Sequence, residues 1–267
     1  MKTVLLIPAY NEARTIADVV RAARPHADAV IVVDDGSTDG TVAAVAGLDV
    51  EVLRHPRNLG KSRSLHTGFA AALALGAREI VTMDADGQHR AADVPRLLRA
   101  AELHPRAIII GARMRNRRAA PMRRRIANRL ADFGVSWAIG RRVIDSQSGQ
   151  RLYPSALFDA LDIRSLAGDG FTLESEILIE AASAGFATLS VPIDTIYDPD
   201  ARPSYFRPIG HTALITAMLA RRLVPHGFRL PELVSMLRDH AHVVDERAGA
   251  AVRDRAALDA HTGTARP

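Results

Sequence analysis

The residues best suited to chemistry fall in three short polar segments, each directly following an apolar run: PAYNE at 8–12, DDGSTDGT at 34–41 and DADGQH at 84–89. Asp84 and Asp86 stand two apart at the end of REIVTM. In extended backbone, residues i and i+2 face the same way, so both carboxylates can address one point. A hard divalent cation such as Mg2+ or Mn2+ takes oxygen ligands. Mg2+ commonly accepts one or two carboxylates and fills its shell with water and substrate phosphate. Gln88 would add a neutral oxygen. Asp34 and Asp35 close the second run, where a carboxylate can accept hydrogen bonds from a base or a ribose. Tyr10 offers a face for stacking, beside the rigid turn at Pro8 and the acceptor Glu12. Each feature also has a duller reading, since carboxylates cap helices and tyrosines fill cores. An isolated D-x-D is weak evidence. Three such loops after three strands carry more.

The cations are as uneven as the acids. Of 35 lysines and arginines only Lys2 and Lys61 are lysine, which leaves 33 arginines. Lys61 sits in RNLGKS, where a compact charge suits a phosphate. Eight arginines fall between Arg113 and Arg129, followed by Arg141, Arg142 and Arg151. Such a patch favours phosphates on a small molecule, a lipid headgroup or a nucleic acid, and a solvated helix face is the plain alternative.

These residues need a scaffold, and the first half of the chain supplies one. TVLLIPA, AVIVVDD, DVEVLRH, REIVTMD and RAIIIGA read as strands. Helical patterns over Glu12–Ala23, from a Ser37 or Thr38 cap to Ala46, over Lys61–Leu75 and over Ala91–Leu103 separate them. The apolar runs look buried on both faces, as in a parallel sheet covered by helices. The alternation predicts a doubly wound α/β fold whose carboxyl-end loops line the ligand crevice. After Gly111 a basic loop leads to a helix over Met122–Ile139, a polar turn DSQSGQRLY, a helix over Phe171–Ala184 and a strand ATLSVPIDTIY. Leu214–Leu223 and Leu233–His240 read as short amphipathic helices, and the sequence beyond Val243 as a flexible tail.

Bulk properties narrow the classes. A chain of 267 residues, 48% hydrophobic and 24% charged, can bury the core of one large domain. With no cysteine, disulfides, thiolate metal sites and cysteine nucleophiles are excluded. The apolar run Val4–Ile7 is too short for a signal peptide. The charge-free stretches Ser64–Ala77, Ala181–Ile193 and Pro208–Ala220 fall short of the roughly 20 residues of a spanning helix. The expectation is a cytoplasmic protein that can lie peripherally on the inner face of a membrane.

Taken together, IPAYNE, VDDGSTDGT, NLGKS, DADGQH, GAR and DSQSGQRLY resemble the family 2 glycosyltransferases, over about residues 1–210. The resemblance is to the branch of dolichol-phosphate mannosyltransferases and bacterial polyprenyl-phosphate glycosyltransferases. It implies a GT-A fold, a nucleotide-diphosphate sugar (GDP- or UDP-sugar) as donor and Mg2+ or Mn2+ as cofactor. It also implies inverting transfer to a lipid phosphate at the membrane surface. By it Pro8, Tyr10, Glu12, Val33 and Asp35 match nucleotide-binding positions, and Asp84, Ala85, Asp86 and Gln88 the metal and diphosphate segment. Arg113 matches an arginine reaching donor or acceptor phosphate, Arg151 the arginine of S-G-F-R, and Glu176 an acid in the helix after the acceptor loop. The catalytic expectation is Asp86, Lys61, Arg113 and Glu176, with Lys61 also on the donor. Arg113, Arg151, Arg202 and Arg207 are expected on the acceptor phosphate. Departures are Gln150 for the family's aromatic, Ala112 for its serine, and ARPSYFRP, where Tyr205 takes the place of a lysine. The carboxy-terminal transmembrane helices of many members have no counterpart.

The division expected is a catalytic domain over 1–210, interfacial amphipathic helices over 211–242 and a tail over 243–267. An anionic lipid phosphate needs no strong base. A hydroxyl acceptor would need one, and Asp145, Asp169, Glu174 and Glu176 are candidates. Two other classes compete. A nucleotidyltransferase would open on a Gly-rich basic loop, which PAYNEART lacks. A non-catalytic basic module on nucleic acid or membrane would leave the acidic loops without a purpose, and no nucleic acid is expected as partner.

Overall fold

A computed structural model describes residues 2–114, 122–166, 172–196, 208–245 and 250–252. Among them, nine strands form one sheet in the order β3-β2-β1-β4-β6-β5-β7-β8-β9. Strands β1 (Thr3–Ala9), β2 (Ala29–Asp34), β3 (Glu51–Arg54) and β4 (Glu79–Thr82) pair in parallel. Strand β5 (Ala107–Arg113) pairs in parallel with β7 (Ala187–Ile193). Between β4 and β5 lies β6 (Arg151–Pro154), antiparallel to both.

Strand alternation sorts the apolar residues into two cores. Leu5 and Ile7 face helices α1 (Ile16–Ala23) and α4 (Val94–Leu103), meeting Ile16, Val20, Leu97 and Ala100. Val4 and Leu6 face the other way, toward Leu65 and Phe69 of α3 (Lys61–Ala74) and Ile177 of α7 (Leu173–Ser183). Between α1 and α3 lies the one-turn α2 (Thr41–Ala44). A third apolar cluster joins α5 (Met122–Ile139), α7 and α8 (Pro208–Leu223) through Ala131, Ala138, Ile179, Ile215 and Leu219. The short α6 (Ala156–Ala160) follows β6, and α9 (Leu230–Arg238) follows α8.

Several details differ from the sequence reading. Helix α1 starts at Ile16 rather than Glu12, after a hydrogen-bonded turn in which the Ile16 N–H donates to the Glu12 carbonyl. The α2 turn is capped by Asp39, which accepts from the Thr41 N–H at 2.9 Å. Ser37 and Thr38 bond instead to Asn11. The end of DSQSGQRLY is a strand, not a turn. The segment from 243, expected as a flexible tail, carries β8 (Val243–Asp245) against β7 and β9 (Ala250–Val252) against β8. No helix among the described residues is long and apolar enough to cross a membrane.

Candidate active site

The strand order reverses direction at β1, with β2 on one side and β4 on the other. Ligand crevices form at such switch points, outside the carboxyl ends of the strands. All three acidic loops leave the sheet there, and they bond to one another. Asn11, in the left-handed region at φ 54°, receives its turn from two bonds to the second loop. Its N–H donates to Ser37 Oγ at 2.8 Å, and its side-chain oxygen accepts from the Thr38 N–H at 2.8 Å. The Glu12 N–H donates to Thr41 Oγ1 at 2.8 Å. Thr15 Oγ1 donates to the Ala85 carbonyl at 2.7 Å, joining the first loop to the third.

A fourth segment joins them. Both Asp35 oxygens point at the turn before α3: Oδ1 accepts from the Leu59 N–H at 2.9 Å and Oδ2 from the Gly60 N–H at 2.8 Å. His55 Nδ1 lies 2.8 Å from the same Oδ1. Gly36, at φ 72°, lets this turn approach, since a Cβ there would fall 2.3 Å from the Arg57 carbonyl carbon. Asp35 thereby fixes the first residue of α3, which is Lys61.

Lys61 Nζ lies 2.8 Å from Asp84 Oδ1 and 3.1 Å from Glu174 Oε2. Burial alone would lower its pKa, but the two carboxylates outweigh that and hold the ammonium above its ordinary value. Asp84 Oδ2 faces His89 Nε2 at 3.4 Å. Burial would raise the Asp84 carboxyl, yet Lys61 and His89 keep it well below the usual aspartate range. Asp86 differs. Burial and the neighbouring Asp84 charge push its carboxyl up, while Oδ1 accepts the Gln88 N–H at 3.0 Å.

Asp84 has room because the antiparallel β6 brings a glycine alongside it. Thr82 pairs with Arg151 in register, and Thr82 Oγ1 donates to the Gly149 carbonyl at 2.9 Å. A Cβ on Gly149 would lie 2.1 Å from Asp84 Oδ2. The SGQ segment is thus shaped around a carboxylate two strands away in sequence.

The donor set suits a hard divalent cation. Burial, with a second carboxylate beside it, raises Asp86, and a cation between the two would relieve their repulsion. Among the described residues no three His, Asp or Glu side chains gather as a closed metal cage. Mg2+ can be held by one or two carboxylates and completed by substrate oxygens.

The remaining expectations divide. Pro8 and Val33 are register partners on β1 and β2. The Val33 side chain is fully buried in the core, so only its backbone could meet a ligand. Tyr10, Glu12 and Gln88 stay partly exposed at the crevice, and Ala85 is buried with its carbonyl on Thr15. Arg113 is engaged within the protein. Its guanidinium makes a two-pronged pair with Asp145, Nε to Oδ2 at 2.7 Å and Nη2 to Oδ1 at 2.6 Å, with both side chains about nine-tenths buried. Arg151, expected on a phosphate, lies inside the fold. Its side chain is 1% exposed and donates to the carbonyls of Ser148, Glu174 and Ser146. From the first turn of α7 it is Glu174 that meets Lys61, while Glu176 is buried nearby. Arg202, Arg207, Tyr205 and Asp169 lie outside the described residues. Sequence reasoning missed His89, although it closes DADGQH, and the glycine that seats Asp84.

The model of the Glycosyl transferase family 2 matches residues 4–157, more than half of the chain. The chain belongs to glycosyl transferase family 2. Over 214 residues it is 31% identical to the UDP-N-acetylglucosamine--dolichyl-phosphate N-acetylglucosaminyltransferase of Methanococcus voltae, covering 72% of this chain and 85% of that one. It is 30% identical over 207 residues to the polyprenol monophosphomannose synthase of Mycolicibacterium smegmatis, covering 72% and 76%. Its fold matches glucosyl-3-phosphoglycerate synthase of Mycobacterium tuberculosis, solved with Mn2+, UDP and phosphoglyceric acid. That match has a TM-score of 0.63 at 20% identity and covers 83% of this chain and 78% of the other. The family 2 chain described here is therefore a glycosyltransferase of GT-A fold.

Proposed function

We propose that this glycosyltransferase moves a sugar from a UDP- or GDP-sugar to a polyprenyl phosphate, with inversion at the anomeric carbon and with Mg2+ or Mn2+ bound. The carrying observation is the convergence of four loops on the Asp84–Asp86 segment, with Lys61 held against it. Tyr10 and the loop braced by Asp35 would receive the base and ribose. Asp84, Asp86 and Gln88 would hold the cation, which supplies positive charge against a diphosphate. Lys61 sits against the same carboxylate, ready to offset charge on the departing nucleotide diphosphate. Fixed loops also contribute by positioning.

The acids support the acceptor class. Asp145 and Glu174, two of the general-base candidates, are each committed to a cation, Arg113 and Lys61. A phosphate acceptor, anionic near neutral pH, needs no base. Two relatives whose names carry dolichyl-phosphate and polyprenol monophosphomannose support the same class. The test is transfer of labelled sugar from UDP- and GDP-sugars with Mn2+, offering polyprenyl phosphate and the free polyprenol side by side. Product on the phosphate alone is expected. Product on the alcohol, or transfer undiminished by chelator, would overturn the reading.

A further inference from the structure

Helix α5 is built inside out for a helix facing water. Its buried apolar and glycine positions are small, Ala131, Gly134, Val135 and Ala138, with Trp137 and Ile139 partly buried against the same core at its end. Gly134 lies against α8 so closely that a Cβ would fall 2.2 Å from Leu219 Cδ1. Four large apolar residues point the other way: Met122 is 68% exposed, Ile126 52%, Leu130 57% and Phe133 47%. With Arg123 and Arg129 they make up the exposed face, since offsets of 4, 8 and 11 residues share one side of a helix. A solvated helix would carry its charges there without the apolar row. A surface that takes both apolar side chains and arginines is the headgroup region of an anionic bilayer.

We propose that the outer face of α5 seats this chain on an anionic lipid surface. The proposal rests on the lipid-phosphate reading and names the partner surface for it. The helix is wired to the site beneath. Asp132, on its inner side, accepts from the Ser146 N–H at 2.7 Å and from the Asp145 N–H at 3.2 Å. Asp145 holds Arg113, and the same loop continues to Gly149 against Asp84. Docking of α5 would bring a lipid phosphate to the edge of the crevice. A second apolar row lies on α9, where Leu230, Val234 and Leu237 are exposed. The turn before α9 is tied to α5 by Trp137 Nε1 donating to the Phe228 carbonyl at 2.9 Å and Arg229 Nη1 donating to that of Ala138 at 2.9 Å.

The experiment is co-sedimentation of the full chain with phosphatidylglycerol vesicles and with phosphatidylcholine vesicles. Two exposed-face variants accompany it, Ile126→Glu with Leu130→Glu, and Arg123→Gln with Arg129→Gln. The parent should bind the anionic vesicles preferentially. Each variant should bind them at least about tenfold more weakly, because each removes one of the two contributions. Both variants should keep the parent's melting temperature and its Mn2+-dependent donor binding, which guards against misfolding. The proposal falls if the parent stays in the supernatant, or if the apolar variant sediments as the parent does. It also falls if light scattering shows a dimer that this variant dissolves, for the face then covers a second copy. Sugar transfer without vesicle binding would sink this inference alone. Vesicle binding without transfer to polyprenyl phosphate would sink the proposed function and leave the inference standing.

Discussion

Lys61 is held between two carboxylates on different elements, Asp84 after β4 and Glu174 on α7. Removing it takes the nearest cation from both acids in a mostly buried place, leaving His89 Nε2 3.4 Å from Asp84 and Arg151 Nε 3.9 Å from Glu174, and losses of this kind cost up to about 3–5 kcal/mol. Lys61→Met should therefore destabilise strongly, whereas Lys61→Met with Glu174→Gln should recover part of the loss. A double-mutant cycle by denaturant unfolding measures this, and strict additivity would contradict the coupling. The neighbouring aspartates give a pH signature. Asp84 is held low and stays ionised, while Asp86 is pushed up and takes its proton at a higher pH than an ordinary aspartate. Ion binding needs both charged. Mn2+ affinity, followed by calorimetry, should fall on acidification through the raised Asp86 value. Affinity that holds until ordinary aspartates protonate would show that Asp86 is not a ligand. None of this pairing could be read from sequence. The motif marks Lys61, Asp84 and Glu174 as chemically suited, but their meeting depends on helices placed by the fold.

At the scale of elements, the position of strand β6 matters most. The polar run DSQSGQRLY looks like a turn because Gly, Ser and Gln dominate it. The strand has only four residues, Arg151–Pro154, the last three of the run and the proline after it, too few for a period-two signal. Yet that strand delivers Gly149 to Asp84. Gly149→Ala should displace the carboxylate and lower kcat/KM by roughly a hundredfold, the scale of a 1 Å misplacement. Steady-state kinetics with Mn2+ checks it, and a variant within twofold of the parent would show that the contact is slack. Arg151 was legible as a family position but not as a strut, because burial of a guanidinium follows from the carbonyls around it. The long periodic segments fared better. Strand β1 and helix α5 take the bounds their patterns imply, since buried strands and an 18-residue helix leave little room for other registers.

Across the whole molecule, one sheet carries every loop of the site to the same edge. The order of β3, β2, β1 and β4 makes the switch point at β1, and loop-to-loop hydrogen bonds close the crevice there. Alternation of strands and helices was enough to imply this, because sequential parallel strands feed their loops to one end. The antiparallel β6 and the terminal pair β8–β9 were not implied, being short and paired only through tertiary packing. The central claim is that these loops share one ion and one diphosphate. Isothermal titration with UDP- and GDP-sugars, with and without Mn2+, tests it on the parent and on Asp86→Ala. The account predicts donor binding that needs Mn2+ in the parent and disappears in the variant, which melts no lower than the parent without metal. Donor binding of equal strength in both proteins, or unchanged by removing Mn2+, would contradict it.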